Sequence, residues 1–546
     1  MRSVDVVIVG GGPVGMHLAM NLEALGVRSM IVDRSGGSRD YPRGNTHNCR
    51  TMEHFRRLGI SKQLRQLRGL PADHPTDVVY KTALNGLEIC RLAMPSEAEK
   101  QEGLRHAAVT DQVPEPILRC NQMYVEKFVF DHVHALPAIE CRWEHEFEDF
   151  EERPDGVTVS IADGRGRRET VDCRFLVGCD GGASLVRRKL GIGYSGKRPE
   201  ERAYASGAMA STYIKAPGIY QRLIRRQAWQ YWVINENVRA NVVSLDGGTH
   251  FLMNTKLRSE DANPDVEAIS RYFMQAVGER IDAQFISHTP WTAGQALVAD
   301  SYGRQRVLLA GDAVHLFTPT GGFGMNTGVD DAANLGWKLA ATLQGWGGPR
   351  LLASYEQERR PIAFRNTAAA KRMSLTNGEV PVGAHISEDS AAGERDRAAA
   401  AAMLSGFGDQ FASLGVQLGA HYSDSPIVRH GGGRIADDPN EYVPTSDPGG
   451  RAPHAFLGDG VSLYDLFGKG FTLLCLKPGA DASAFRQAAA ARRIPLDIAN
   501  VDRREVRDLY ACDLALIRPD HHVAWRGDDT AGDADAVLAQ AAGWQG

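Results

Sequence analysis

VDVVIVGGGPVGMHLAMNLEALGVRSMIVD, residues 4–33, decides the fold. Asp5–Val9 is a short apolar strand with Val4 leading in. Gly10, Gly11 and Gly12 make a turn, and Pro13 sits in the first turn of a helix, where its missing N–H costs nothing. Val14, Leu18, Leu22 and Leu25 recur at helical spacing. Gly26 stops the helix as a C-cap glycine does. Ser29–Val32 returns as a second buried strand ending at Asp33. Gly10-x-Gly12-x-x-Gly15 therefore follows a strand and opens a helix, with an acid 18 residues further on. In that context it is a dinucleotide fingerprint. The glycines let the backbone approach a pyrophosphate, and the helix N-terminus favours its negative charge. Asp33 can accept from a ribose hydroxyl, and the adjacent Arg34 is a further candidate. The fingerprint by itself does not separate NAD from FAD.

Working outward, the chain has 546 residues, enough for three or four compact units, and its formal net charge is −5. Nucleic-acid binding wants an excess of cations, which is absent here. Eight cysteines do not make a disulfide scaffold. The N-terminus carries no secretory signal pattern, and no apolar run is long enough for a membrane span. The expectation is a cytoplasmic protein with reduced thiols and no membrane or nucleic-acid partner.

Further along, 117–135 reads as a helix and 155–178 as antiparallel strands with Gly turns. Residues 203–290 are rich in strand-like and aromatic residues and read as a separate β layer. RQRVLLAGDA is a strand, and 325–345 is a helix with Ala332, Leu335, Leu339 and Leu343 on one side. Residues 375–425, rich in Ala, Gly, Ser and acid, read as a connector. A small α/β unit begins near 450.

The second informative stretch is LLAGDAVHLFTPTGGFGMNTGVDDAANLGWKL, residues 308–339. A strand ends at Gly311-Asp312, and a loop with Pro319, Gly321, Gly322 and Gly324 enters a helix near Met325. This aims a second helix N-terminus at something anionic or electron-rich. Asp312 is placed to accept bonds from a polyol chain. Together with the first motif, this stretch resembles the single-component flavoprotein aromatic hydroxylases, in particular the phenol and chlorophenol hydroxylase branch. The resemblance runs over nearly the whole chain. It implies FAD as the bound cofactor and NAD(P)H as a transient co-substrate without its own domain, in keeping with the lack of a second fingerprint. It also implies that Asp312, Pro319, Gly322, Gly324, Met325 and Asn326, with Gly311, hold the flavin, and that Pro319 lies against its reactive ring. GCDGGASLVRRKLG (178–191) resembles the family's Asp-Gly motif and adds Asp180, with Gly181, Ser184 and Arg187. Arg43 in YPRGNTHNCRTME, and Arg119 and Gln122 in LRCNQMYVE, resemble flavin-contacting segments; a guanidinium fork suits a diphosphate.

The implied fold is α/β (α+β overall). A Rossmann-type FAD-binding domain occupies 1–75, 105–195 and 290–375. An inserted β-sheet substrate domain occupies 76–104 and 196–289, a helical connector 376–449, and a thioredoxin-like domain 450–546. The redox form of that last domain needs a C-x-x-C pair, whereas Cys475 and Cys512 stand alone, so a packing or homodimer role is expected.

The implied reaction is hydroxylation of a phenolic substrate by O2 through a flavin C4a-hydroperoxide. Another oxidation of Baeyer–Villiger type, or a non-hydroxylating FAD-binding relative, stands as the alternative. In AWQYWVIN (228–235), Tyr231 resembles a substrate-facing tyrosine and is a candidate for removing the phenolic proton. His47 is a second base candidate. Asn45 stands about where some relatives place a carboxylate. His315 is expected to support its loop. His132 and His134, two apart on a helix, do not face each other, so no metal is expected.

Overall fold

The computed structural model describes residues 2–67, 69–197, 206–258, 261, 263–404, 411, 413–432, 435–458, 460–528 and 533–544. The chain opens with β1 (Arg2–Val9), α1 (Pro13–Ala24) and β2 (Ser29–Asp33). After α2 (Cys49–Arg57) it forms β3 (Val78–Lys81) and β4 (Glu88–Leu92), which belong to a second sheet. It returns through α3 (Gln122–Ala135), β5 (Ile139–Trp143), β6 (His145–Glu152), β7 (Val157–Asp163) and β8 (Arg168–Gly178). α3 starts later than the sequence suggests, because Leu118 is held extended in a bridge to His47.

The second sheet is completed by β9 (Gly207–Lys215), β10 (Gln230–Ile234), β11 (Arg239–Ser244) and β12 (His250–Lys256). Then come α4 (Val266–Val277) and β13 (Gln284–Ala293). β14 (Val307–Leu309) rejoins the first sheet, followed by α5 (Phe323–Gln344) and α6 (Arg350–Glu379).

The first sheet has five parallel strands in the order β14-β8-β1-β2-β5, with the two-residue strand Gly303–Arg304 antiparallel on the β14 edge and the β6–β7 meander hung on β8. Val6, Val7 and Ile8 are fully buried, as the apolar run demands of a strand covered on both faces. α1 packs close to α5, because Gly328 leaves no room for a side chain: a Cβ there would lie 2.6 Å from Val14.

The second sheet runs β13-β9-β12-β11-β10-β3-β4. Its side chains alternate. Ala210, Tyr231, Val233, Val242 and Met253 face a core made with α4, while Met209, Trp232 and Val243 face the other way. The segment expected to be a connector is a wall instead. Val380 and Ile386, with Ala400 and Leu404 of α7 (Ala391–Leu404), pack onto Val78, Tyr80 and Trp232.

The last unit comprises β15 (Phe471–Cys475), α8 (Ser483–Arg492), β16 (Leu496–Asn500), α9 (Arg504–Tyr510), β17 (Leu514–Ile517), β18 (Val523–Gly527) and α10 (Ala534–Ala541). Its order β16-β15-β17-β18, with only the first pair parallel, is the thioredoxin-like arrangement. It docks through Phe471 against Trp337 and Trp346, and through Arg518, whose fork spans both carboxylate oxygens of the buried Glu358 at 2.7 and 2.8 Å.

Candidate active site

The parallel order explains why motifs hundreds of residues apart meet. Val32, Val9, Gly178 and Leu309 stand in one row across β2, β1, β8 and β14. Just past that row lie Asp33, Gly10, Asp180 and Asp312. The strand order reverses at β1, and a groove opens at the carboxyl ends, where such sheets take ligands. The groove holds about 630 Å³. Gly10, Gly12, Pro13, Asp33, Arg34 and Arg43 line it, as do Gln122, Asp180, Asp312, Pro319, Gly322, Gly324 and Met325.

Each glycine of the fingerprint has a distinct reason. Gly10 has φ +107°, and a Cβ on it would lie 2.3 Å from the Cys179 carbonyl oxygen. A Cβ on Gly15 would lie 2.0 Å from the Gly10 carbonyl oxygen, so this glycine seats the helix on the turn rather than lining the groove. A Cβ on Gly12 would meet nothing within 4 Å and would project into open space. Asp33 ties the turn together, accepting from Gly11 N (2.6 Å) and Ser35 N (2.8 Å). Asp180 accepts from Leu185 N at 2.7 Å through Oδ2, while its buried Oδ1 has no partner. Desolvation in the cleft raises the Asp312 carboxyl above its ordinary range, against the pull of His315, Arg43 and Arg39.

Besides Gly15, three cofactor candidates sit elsewhere. Gly311 is packed on Val14 behind the groove. Asn326 is a buried strap: its amide donates to Thr46 O (3.0 Å) and Gly322 O (2.6 Å) and accepts from Asn48 N (2.9 Å), binding the 42–48 and 317–326 loops together. Arg119 lines a different cavity. His315 is a loop support, its Nε2 2.7 Å from Asp331 Oδ2; Asp331 also accepts from Gly311 N (3.2 Å) and Arg359 Nε (2.9 Å). Arg187 stacks on Tyr194 at 3.9 Å, and its neighbour Arg188 faces the groove.

That second cavity, of about 490 Å³, lies between the outward face of the second sheet, the 41–48 and 319–323 loops, and α6. It shares Arg43, Gly44, Asn45, Thr46, Pro319 and Gly322 with the groove. The two base candidates are not in it. Tyr231 is fully buried in the α4-side core, and its hydroxyl accepts from Ala228 N at 2.6 Å. Strand alternation turns its neighbours Gln230 and Trp232 to the cavity instead. His47 points into the core beside Phe55, between the cavity-lining Thr46 and Asn48, and burial lowers it to about 4. Among the described lining residues there is no carboxylate and no imidazole.

Sequence reading also missed groove residues. Arg39 and Arg188 join Arg34 and Arg43 around it; Arg39 was readable as the next cation in the DRSGGSRDYPR segment. The fit of Gly11, whose Cβ would strike the Trp143 ring at 2.2 Å, had no local signal, because Trp143 lies on β5.

A nucleotide groove at a Rossmann switch point, sharing two loops with a cavity under a second sheet, defines a cofactor-dependent enzyme. Comparison with known proteins makes this particular. Residues 3–370 match the FAD binding domain model, and 445–546 match the aromatic-ring hydroxylase C-terminal model. The chain belongs to this FAD-binding family and is an FAD-dependent aromatic monooxygenase. It is 31% identical to the FAD-dependent monooxygenase apdD of Emericella nidulans, over 99% of this chain and 90% of that one. It is also 31% identical to a putative polyketide hydroxylase of Streptomyces halstedii, over 97% and 94%. The solved structure of the rebeccamycin biosynthetic enzyme RebC with reduced flavin superposes with TM-score 0.89 at 34% identity, covering 100% of this chain and 99% of that one. No described helix is long and apolar enough to cross a membrane.

Proposed function

We propose that the enzyme hydroxylates a phenolic substrate of several fused rings, with FAD lying along the groove and its reactive end at the six residues common to both cavities. The observation that carries this is the junction itself: the groove at the strand-end turn of Gly10–Gly12 and the cavity under the sheet face at Trp232 share the two loops that wall them. The residues fit the cofactor. The open space over Gly12 and the N-terminus of α1 suit a diphosphate, with Arg34, Arg39, Arg43 and Arg188 about it. Asp33 suits a ribose hydroxyl, and the unpartnered Oδ1 of Asp180 and the carboxylate of Asp312 suit other hydroxyls. Pro319, Gly322, Gly324 and Met325 offer a close-approach wall. FAD, when bound, supplies hydride acceptance from NAD(P)H and activation of O2.

The protein's share is to hold the ring and keep water out. Multi-ring size is supported by the cavity volume, within the range that takes ligands of drug size, and by polyketide hydroxylases among the relatives. Because no described lining residue is a carboxylate or imidazole, and of the proton-carrying phenols only Tyr41 and Tyr213 line the cavity, we infer that the substrate enters as its phenolate or loses its proton to solvent. We extend the proposal to a cytoplasmic homodimer; all eight cysteines are free thiols, and sedimentation tests the association. The function is tested by NAD(P)H oxidation with a panel of hydroxylated naphthalenes and anthraquinones. Substrate-stimulated oxidation with one oxygen added to a ring is expected. Stimulated oxidation yielding only peroxide for every member would overturn it.

A further inference from the structure

We propose that the substrate is an aromatic carboxylic acid, its carboxylate received by Arg119 and a second acceptor oxygen, about a strand-turn away, by the side-chain amide of Asn241. This deepens, and rests on, the multi-ring reading above.

Arg119 is the anomaly in the cavity. It is 9% exposed, yet it pairs with no carboxylate among the described residues. Its guanidinium donates to Thr46 Oγ1 (2.6 Å) and toward Met94 Sδ (4.0 Å), and it stacks on the Trp229 ring at 4.4 Å. A buried cation without a partner is costly, and natural proteins pair or neutralise such groups. Burial pushes this guanidinium down to about 10. Its free edge lies on the cavity, so the missing anion belongs to whatever fills that space. The sequence suggested a flavin diphosphate, but Arg119 is absent from the groove where the strand-end turn and the other arginines gather. A planar fork suits a carboxylate because two N–H groups meet two oxygens.

Asn241 is an independent pointer. It is 6% exposed, it lines the same cavity, and its Nδ2 has no partner. An unmade buried donor is costly, and an acceptor oxygen on the ligand removes that cost. The spacing sets the shape. Asn241 pairs across the sheet with Trp232, three residues along from Trp229, which is about 10 Å of strand. Two polar groups set at different points along the cavity suit a ligand longer than a single phenol ring, such as a rod of three fused rings.

The test uses the FAD-loaded protein and three probes: 4,5-dihydroxyanthraquinone-2-carboxylic acid, its methyl ester, and 1,8-dihydroxyanthraquinone, which lacks the carboxyl. Binding is read from flavin fluorescence and absorbance. The acid is expected to bind at least tenfold tighter than the ester or the parent. Arg119→Met should erase that preference at unchanged FAD occupancy, and Arg119→Lys should keep part of it. Asn241→Leu should weaken all three alike. Equal binding of acid and ester by the wild-type protein overturns the proposal. So does a preference that survives Arg119→Met, or loss of FAD in Arg119→Met and Arg119→Lys alike, which would assign the arginine to the flavin. Failure of all three probes to bind a yellow, NAD(P)H-reducible protein sinks the multi-ring acid. A colourless or non-reducible protein fails the function itself instead. If Arg119→Met does not fold, the wild-type acid-to-ester ratio and Arg119→Lys decide.

Discussion

Gly12→Ala separates what the cofactor needs from what the fold needs. Gly12 has φ −75° and ψ −178°, ordinary extended backbone that alanine adopts without strain. The added Cβ would meet no protein atom within 4 Å. The apoprotein should therefore stay near wild type, because a gain of up to about 1 kcal/mol from the stiffer unfolded chain is offset by a similar loss from alanine at the N-cap of α1. The same methyl stands where the proposed diphosphate approaches the backbone. Each hydrogen bond to a charged group contributes about 1.5–3 kcal/mol. Losing one, at about 2 kcal/mol, weakens FAD roughly thirtyfold, and losing two roughly nine-hundredfold. Gly15→Ala is the contrast. Its Cβ at 2.0 Å from the Gly10 carbonyl oxygen forces the backbone to shift, at about 1–3 kcal/mol to the apoprotein itself. The assay is urea unfolding of the two apoproteins beside FAD titration followed by fluorescence quenching. Wild-type FAD affinity in Gly12→Ala would refute the placement of the diphosphate. A Gly12→Ala apoprotein destabilised by more than the roughly 1 kcal/mol of a lost cap, as Gly15→Ala is, would refute the open space.

Tyr231→Phe should leave turnover and FAD content unchanged and cost about 1–2 kcal/mol in urea unfolding, from the buried Ala228 N–H left without its acceptor; a slowed hydroxylation with intact stability would return Tyr231 to the reaction. Arg518→Met should cost about 3–5 kcal/mol, because Glu358 then keeps only Lys338 (2.6 Å) as its cation; an unchanged unfolding midpoint contradicts this. Burial raises the Glu358 carboxyl, but Arg518 and Lys338 outweigh it and hold it at about 2. Its contribution is thus complete above the ordinary carboxylate range and is lost as pH falls from about 4.5 toward 2. Acid unfolding in that window should shift upward in Arg518→Met. With no carboxylate or imidazole among the described cavity residues, the acid limb of the hydroxylation profile should follow the substrate's own phenol pKa across a substituted series; a limb that stays fixed would reveal an enzyme group.

The nucleotide half of the site was legible in the sequence because its signals are local. The spacing of Gly10, Gly12 and Gly15, the acid ending β2, and the Gly311-Asp312 turn each sit within one strand–turn–helix unit, and parallel order alone brings them together. The substrate half was not, because it depends on which way a strand faces. A shift of one residue separates Tyr231, sealed against α4, from Trp232, which lines the cavity, and a strand with a single polar residue, Gln230, at its start carries little parity signal. Arg119 was legible as a cation but not as an unpaired one, since its neighbours Thr46 and Trp229 come from distant segments. Residues 380–404 looked like a spacer because the alanines of α7 are small rather than polar; small side chains are what let it close on Tyr80 and Trp232.

The most direct measurement is a crystal structure of the yellow, FAD-loaded protein. The account predicts the diphosphate over Gly12, a ribose beside Asp33, and the flavin ring between Asn45–Thr46 and Pro319–Gly322, facing Trp232. A flavin ring lodged away from that junction, or a diphosphate held by Arg119 under the second sheet, would contradict it.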